Sequence, residues 1–366
     1  MKVRYSYLEE QFAQCDDLWA ELKQFVKSGD FTLGQPLTKF EELFANLIGS
    51  KYAIGVNSGT DAIKLSLKAL GISKDDEVIT AANTFVATVG AIAELGAIPV
   101  FVDCDDTFCI NPDLIERAIT NKTKAIVPVH LTGNVAEMEK ITAIGNQHNI
   151  RIVEDSCQAI LGQTAGKNAG TWGITGAFSL HPLKNLNVWA DGGVIVTDDE
   201  TLAKHLRLLR NHGLSDRDTV SLLGCNSRLD TFQAIVATWL LPKVHHITSQ
   251  RIANAHYYDH AFGSICGIDV PTRTKQCRSV YHLYMLFSEK REELLHYCIA
   301  NGVEAKVHYP TPIYRQPALE HLGYTCGDFP ITDRHAKSII SFPCDQHLTE
   351  KQLEFVIHTV REFFQT

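Results

Sequence analysis

No run of five or more basic residues occurs in this chain of 366 residues, and 42 acidic side chains against 34 basic ones leave a net charge of −8. A nucleic-acid partner is therefore not expected. The ten cysteines lie scattered from Cys15 to Cys344 without a single CxxC pair, and the closest two, Cys104 and Cys109, flank a turn-like DDTF segment. That spacing speaks for reduced thiols in a cytosol rather than a disulfide framework. The opening MKVRYSYLEEQFAQ lacks the apolar stretch of a signal peptide, and the longest apolar segment, Thr84 to Val102, is broken by Glu94 and two glycines. No membrane-spanning segment is expected. There is no GK[ST] to make a Walker A loop and no GxGxxG to make a dinucleotide site. His245 and His246 are adjacent rather than four apart, with no third ligand nearby, so no metal site is expected.

What the chain does have is 45% hydrophobic residues and a regular alternation of short strands with helices. Strand-like segments are expected at Ile54 to Val56, Glu77 to Thr80, Pro99 to Val102, Ala125 to Leu131, Arg151 to Glu154, Gly176 to Leu180 and Val194 to Thr197. Between them, helical spacing appears at Asp61 to Ala69, Val86 to Leu95, Pro112 to Ile119 and Ala136 to His148. Short, continuously apolar strands separated by helices describe an α/β fold with a mostly parallel sheet covered on both faces. After Thr197 the pattern becomes helical, at Glu200 to Asn211, at Leu229 to Leu241 and on to about Phe262. Beyond a loop at 270–277 it reads strand (Val280 to Phe287), helix (Lys290 to Asn301), strand (Glu304 to His308), a proline-rich loop and a last helix. That last helix opens on a capping box, Thr349 to Gln352. A large domain of residues 1–250, with the N-terminal arm included, and a smaller α+β domain of residues 251–366 follow from this change of character.

Three features carry chemistry. Asn57-Ser58-Gly59-Thr60 joins the first strand to a helix, and such a turn offers backbone N–H groups, a hydroxyl and the positive helix end to a phosphate; Ser-Gly-Thr is equally an ordinary helix start. Asp155 closes a buried strand, where an open α/β sheet binds ligands. A carboxylate there needs a cation to answer it, unless it only caps a helix. Twenty-nine residues on, in FSLHPLKNLNVWADGG, Lys184 sits on irregular backbone at a strand end. A desolvated lysine amine at such a place can react with a carbonyl; a lysine in a loop is more commonly a surface residue. Together the three supply what pyridoxal 5'-phosphate requires: an anion anchor, a counter-charge for a protonated pyridine nitrogen, and an amine.

The ordered stretches NSGTDAIKLSLKALGI, KAIVPVHLTG, VEDSCQAI, FSLHPLKNLNVWADGG, GCNSRLDTFQA and HYPTPIYRQPALEHLGY resemble the DegT family of pyridoxal-phosphate-dependent nucleotide-sugar aminotransferases, of the aspartate-aminotransferase fold type, over nearly the whole chain. The resemblance implies that Lys184 carries the cofactor as a Schiff base, Asp155 pairs with the pyridine nitrogen and Gln158 approaches the ring hydroxyl. Gly59, Thr60 and Ser179 are implied to hold the phosphate and Phe85 to stack on the ring, although Phe85 taken alone reads as a core aromatic. Asn226 is implied to reach the phosphate in the neighbouring subunit of a homodimer with shared active sites. His308 and Tyr314 become expected substrate contacts.

The implied reaction is transfer of an amino group from glutamate to a nucleotide-linked keto-sugar, at C-3 in preference to C-4. The alternatives are another reaction on the same cofactor, such as sugar dehydration or amination of a non-nucleotide keto-sugar, and a non-enzymatic regulator. Three positions depart from the family pattern: Ala190 where glycine is usual, His181 where an aromatic is commoner, and Tyr314 where related 3-aminotransferases often carry histidine. Ala190 and Tyr314 leave the substrate, not the cofactor, open.

Overall fold

The computed structural model describes residues 1–274 and 276–365. Seven strands build the central sheet: β1 (Tyr52–Val56), β2 (Glu77–Ala81), β3 (Ile98–Val102), β4 (Thr123–Val127), β5 (Arg151–Asp155), β6 (Thr175–Ser179) and β7 (Gly193–Thr197). They lie in the order β1-β7-β6-β5-β4-β2-β3. β7 runs antiparallel to both its neighbours, and every other pair is parallel. The strands are short and almost wholly buried, as a sheet covered on both faces requires. The carboxyl ends of β1, β5 and β6 consequently share one edge of the sheet.

Helices α1 (Asp16–Ser28) and α2 (Gln35–Ile48) precede the sheet, while α3 (Gly59–Ala69), α4 (Val86–Ala93) and α5 (Met138–His148) alternate with its strands. α6 (Glu200–Leu209), α7 (Thr231–Leu240) and α8 (Val244–Phe262) follow it. On one face Phe40 and Phe44 of α2 pack with Phe178, Val194 and the apolar residues of α7. On the other, Ala62, Ile63 and Leu67 of α3 pack with Leu202 and Leu206 of α6 over Ile54, Val153 and Ile195. Beneath the sheet end, Glu41 accepts from the Gly55 N–H at 2.8 Å and pairs with Arg210, both side chains being buried.

The C-terminal part contains a two-stranded antiparallel ribbon, β8 (Tyr284–Phe287) with β9 (Ile339–Phe342), together with α9 (Arg291–Ala300), α10 (Pro330–Ser338) and α11 (Glu350–Gln365). Its core unites Tyr258, Phe262, Tyr284, Leu294, Phe342 and Val356. Val3 and Tyr7 also pack into this core, while Phe12 packs against the core of the large part. Residue 250 falls inside α8, which runs unbroken from one part to the other.

Several expected elements differ. The segment 112–119 forms two 3-10 turns, at Pro112–Leu114 and Glu116–Ala118, because only Pro112 and Ile115 are buried and no continuous apolar stripe supports an α-helix. The strand expected from Val280 begins only at Tyr284, since Val280 and Leu283 donate their N–H groups to Gly133 and Thr132 of the large part instead. Glu304 to His308 makes a single bridge, Lys306 to Ser341, not a strand. β9 itself was not foreseen. The capping box is present: the Thr349 N–H donates to Gln352 Oε1 at 2.9 Å and the Gln352 N–H returns to Thr349 Oγ1 at 3.4 Å. Lys275, in the expected loop at 270–277, lies outside the described residues.

Candidate active site

At the end of β1 the chain turns through Ser58 into α3. Ser58 Oγ accepts from the Asp61 N–H at 3.1 Å. The N–H groups of Gly59 and Thr60, the first two of the helix, have no acceptor within the helix and point outward from its positive end. Gly59 permits a close approach: a Cβ there would stand 2.8 Å from both Cys157 Sγ and Ser179 Cβ. Gly193 does likewise, because a Cβ on it would meet the Ser58 carbonyl oxygen at 2.2 Å. The turn is thereby pressed against the ends of β6 and β7, with Ser179 beside it.

Asp155 ends β5 and is only 5% exposed. Its Oδ2 accepts from Thr88 Oγ1 at 2.8 Å, and its Oδ1 accepts from the Cys157 N–H at 3.1 Å. Thr88 is in turn 2.7 Å from Thr84 Oγ1; since Thr88 gives its hydrogen to the carboxylate, Thr84 donates to Thr88. This carboxylate is buried yet has no cationic partner among the described residues. Burying a charge in that way is costly unless a cation is supplied from elsewhere.

Lys184 stands in the loop after β6. The loop is organised by its own backbone: the Leu180 N–H donates to the Gly192 carbonyl at 2.8 Å, the Lys184 N–H to the His181 carbonyl at 2.8 Å, and Asn187 Nδ2 to the carbonyls of Pro182 and Lys184 at 2.7 and 3.1 Å. Lys184 is half-buried, with Nζ 3.5 Å from His282 Nε2. Loss of hydration pulls its ammonium pKa below that of an ordinary lysine, with Cys157 and Asp155 pulling weakly the other way. An amine so placed gives up its proton more readily than a surface lysine.

Lys184 faces a cavity of about 320 Å³ between the sheet edge and the C-terminal part. Gly59, Thr60, Phe85, Gln158, Ser179 and His308 line it as well. Asp155 lies behind that wall. Gln158 accepts from the Thr132 N–H through Oε1 at 2.7 Å. Phe85 is 48% exposed rather than a core residue, and its ring lies 5.5 Å from that of Tyr309. Burial pushes the Tyr309 hydroxyl up to about 12 and, with Lys306 and Lys184 nearby, His308 down to about 4. His282 is likewise held neutral, first by burial and then by Lys184 and Arg251.

Two expected residues stand elsewhere. Asn226 is exposed in a separate surface depression with Phe31, Thr32, Asn57 and Arg228, away from the cavity of its own chain. Tyr314, expected at the substrate, is 1% exposed and packs with Phe329 in an apolar cluster; its hydroxyl donates to Asp333 at 2.5 Å. It does not line the cavity. Sequence reasoning missed Thr88, His282, Tyr309, Arg251 and Lys306. Only His282, a polar residue inside the apolar run SVYHLYMLF, and Tyr309, next to His308, carried any local signal.

Residues 14–361 match the DegT/DnrJ/EryC1/StrS aminotransferase family. The chain belongs to that family. It is 38% identical to a "pleiotropic regulatory protein" of Geobacillus stearothermophilus over 100% of this chain and 99% of the relative. It is 36% identical to the dTDP-3-amino-3,4,6-trideoxy-alpha-D-glucose transaminase of Streptomyces venezuelae, over 97% and 93% of the two chains. The crystal structure of S. venezuelae DesV in complex with a ketimine intermediate superposes with a TM-score of 0.97 at 35% identity, covering 100% of this chain and 99% of that one. Further neighbours of the same shape include ntda of Bacillus subtilis with bound cofactor PMP and a protein of Streptococcus pneumoniae, described as a putative sugar aminotransferase, in its PLP form. DegT-family aminotransferases depend on pyridoxal phosphate, and this chain is an aminotransferase of that kind. Several of its relatives are named as aminotransferases of dTDP- or UDP-linked sugars. Among the described residues no helix is long and apolar enough to cross a membrane.

Proposed function

We propose that this aminotransferase moves an amino group from glutamate to C-3 of a nucleotide-linked keto-deoxysugar. The observation that carries the reading is the desolvated amine of Lys184 in a cavity backed by a buried carboxylate, Asp155, that forms no ion pair among the described residues. The residues present fit pyridoxal phosphate on both counts. The free N–H groups of Gly59 and Thr60, with the Ser179 hydroxyl, would bind its phosphate, and Asp155 would hold the positive ring nitrogen. Phe85 would cover one face of the ring, and Gln158 would approach its hydroxyl. When bound, the cofactor supplies a carbonyl that links to an amine and a ring that takes up the electron pair released at the substrate carbon.

The chain's own contribution is to hold and move charge. Thr88, backed by Thr84, orients the Asp155 carboxylate. Lys184 Nζ, uncharged in part because it is desolvated, would take the proton from the amine-bearing carbon of the donor and deliver it, across the linking nitrogen, to the cofactor carbon that had been the carbonyl. The two half-reactions run in opposite senses over the same groups, so the kinetics are ping-pong. Amination at C-3 is supported by relatives named for 3-amino sugars. Incubation with L-glutamate and a panel of 3-keto and 4-keto nucleotide sugars, followed by mass analysis, tests the reading. An aminated 3-keto substrate is expected; conversion of 4-keto sugars only, or elimination of water without amine transfer, overturns it.

The exposed Asn226, which does not line the cavity of its own chain, supports a homodimer in which Asn226 of the partner subunit completes the phosphate site. A division of the chain near residue 250 is supported by α8 itself, whose Val244 and Ile247 join the core of the large part while Ala255, Tyr258 and Phe262 join that of the C-terminal part. Ten unpaired cysteines support a cytosolic setting. The dimer has its own test: after subunit exchange, a mixture of inactive Lys184→Ala and Asn226→Ala chains is expected to regain activity, since one site of the mixed dimer keeps both groups. No recovery despite proven exchange would place Asn226 in the site of its own chain.

A further inference from the structure

Lys306, an exposed residue, lines the same cavity as Lys184 and has no ion-pair partner among the described residues. Its backbone exchanges both hydrogen bonds with Ser341, at 2.9 and 2.8 Å. Its ammonium rests 4.5 Å from the centroid of the Tyr5 ring, a cation–π contact that keeps a long, flexible side chain in place. Tyr5 is fixed in turn. The Tyr5 N–H donates to Glu304 Oε2 at 2.9 Å, and Val3 beside it exchanges hydrogen bonds with Gly302 and Glu304. The Tyr5 ring lies 5.8 Å from that of His308, and its hydroxyl is buried with no hydrogen-bond partner.

The other cations of the wall are committed. Arg251 donates to Gln346 Oε1 at 3.0 Å and to the Tyr281 carbonyl at 3.2 Å, and it pairs with Asp345 at 3.6 Å. Lys184 is the reacting amine. Lys306 alone among the described cations of this wall has no anion and no reaction to perform. It is also close to the chemistry, since the charges of Lys306 and Lys184 bear on the same imidazole, His308. A transaminase must admit an α-amino acid, which brings at least one carboxylate within a few bonds of the amine it donates. Moving that carboxylate out of water is costly unless a cation meets it.

The geometry points to Lys306, held on the Tyr5 ring, as the counter-charge for a carboxylate of the amino-acid donor. This rests on the transaminase reading above and deepens it. The probe is glutarate, which carries both carboxylates of a five-carbon dicarboxylic donor but no amine to react. Titrated calorimetrically into the cofactor-loaded protein, it is expected to bind about tenfold or more weakly to Lys306→Met, which keeps the stem on Tyr5 and removes the charge. Lys306→Arg is expected to recover most of the loss. In single turnovers with L-glutamate, Lys306→Met is expected to raise the half-saturating concentration by a similar factor while changing the limiting rate far less.

Wild-type protein that binds no glutarate, or a Lys306→Met variant that binds it normally, overturns the inference. So does a loss confined to the nucleotide sugar, which would assign the charge to the acceptor's phosphates. Failure of the transaminase reading looks different. The wild type would transfer no amine from any amino acid, whatever glutarate binding shows.

Discussion

Asp155→Asn changes one charge and almost no volume, which makes it a clean perturbation of the site. The carboxylate it replaces is 5% exposed, accepts one bond each from Thr88 and the Cys157 N–H, and has no ion pair among the described residues. Two opposite unit charges about 4 Å apart, at an effective dielectric constant of roughly 20, attract by about 4 kcal/mol. Each ~1.4 kcal/mol lost in the transition state costs a factor of about ten, so turnover is expected to fall about a thousandfold. The fold has a way to absorb the change. The asparagine oxygen can accept from Cys157, and Thr88 can turn its hydrogen towards Thr84 and accept from the new amide, because the two hydroxyls are already 2.7 Å apart. The melting temperature is therefore expected to move by only a few degrees. Single-turnover transamination with L-glutamate, read beside a thermal melt, makes the measurement. A loss below tenfold in a variant that still binds the cofactor would refute the reasoning, because the ring nitrogen would then have another counter-charge.

Tyr314→Phe deletes a buried hydroxyl bond to Asp333 and is expected to cost about 1–3 kcal/mol in denaturant unfolding, with little change in KM for either substrate; a raised KM at unchanged stability would return Tyr314 to the substrate. In cofactor-free protein, acylation of Lys184 is expected to show a pH midpoint below the ~10.4 of a free lysine, since burial disfavours the ammonium and the free amine therefore persists to lower pH. A midpoint at or above that of exposed lysines contradicts the desolvation.

The large sheet was legible because its strands are short, apolar and punctuated by glycine and helix caps, a pattern that local sequence determines. The C-terminal part was less so. Val280 to Leu283 has strand composition but hydrogen-bonds to Thr132 and Gly133, about 150 residues earlier, and no periodicity reveals such a partner. β9 was hidden for a related reason: Ile339–Phe342 is too short to announce itself and exists because β8 needs an edge to pair with.

The site divides in the same way. Lys184, Asp155 and the Ser58-Gly59-Thr60 turn sit at strand ends, where position in the chain implies position in the fold. For Tyr314 the motif gives a neighbourhood, not a direction, and the ring packs into the cluster around Phe329. Thr88 and Lys306 gave no local sign. Each gains meaning only from what stands against it, Asp155 in one case and Tyr5 in the other.

The central claim is that Lys184 is the amine that holds the cofactor. Reduction of the loaded protein with borohydride, followed by proteolysis and peptide mapping, tests it directly. The account predicts one stable pyridoxyl adduct, on the peptide containing Lys184, and none in Lys184→Ala. An adduct on any other lysine, or an undiminished yield from the Lys184→Ala protein, would contradict it.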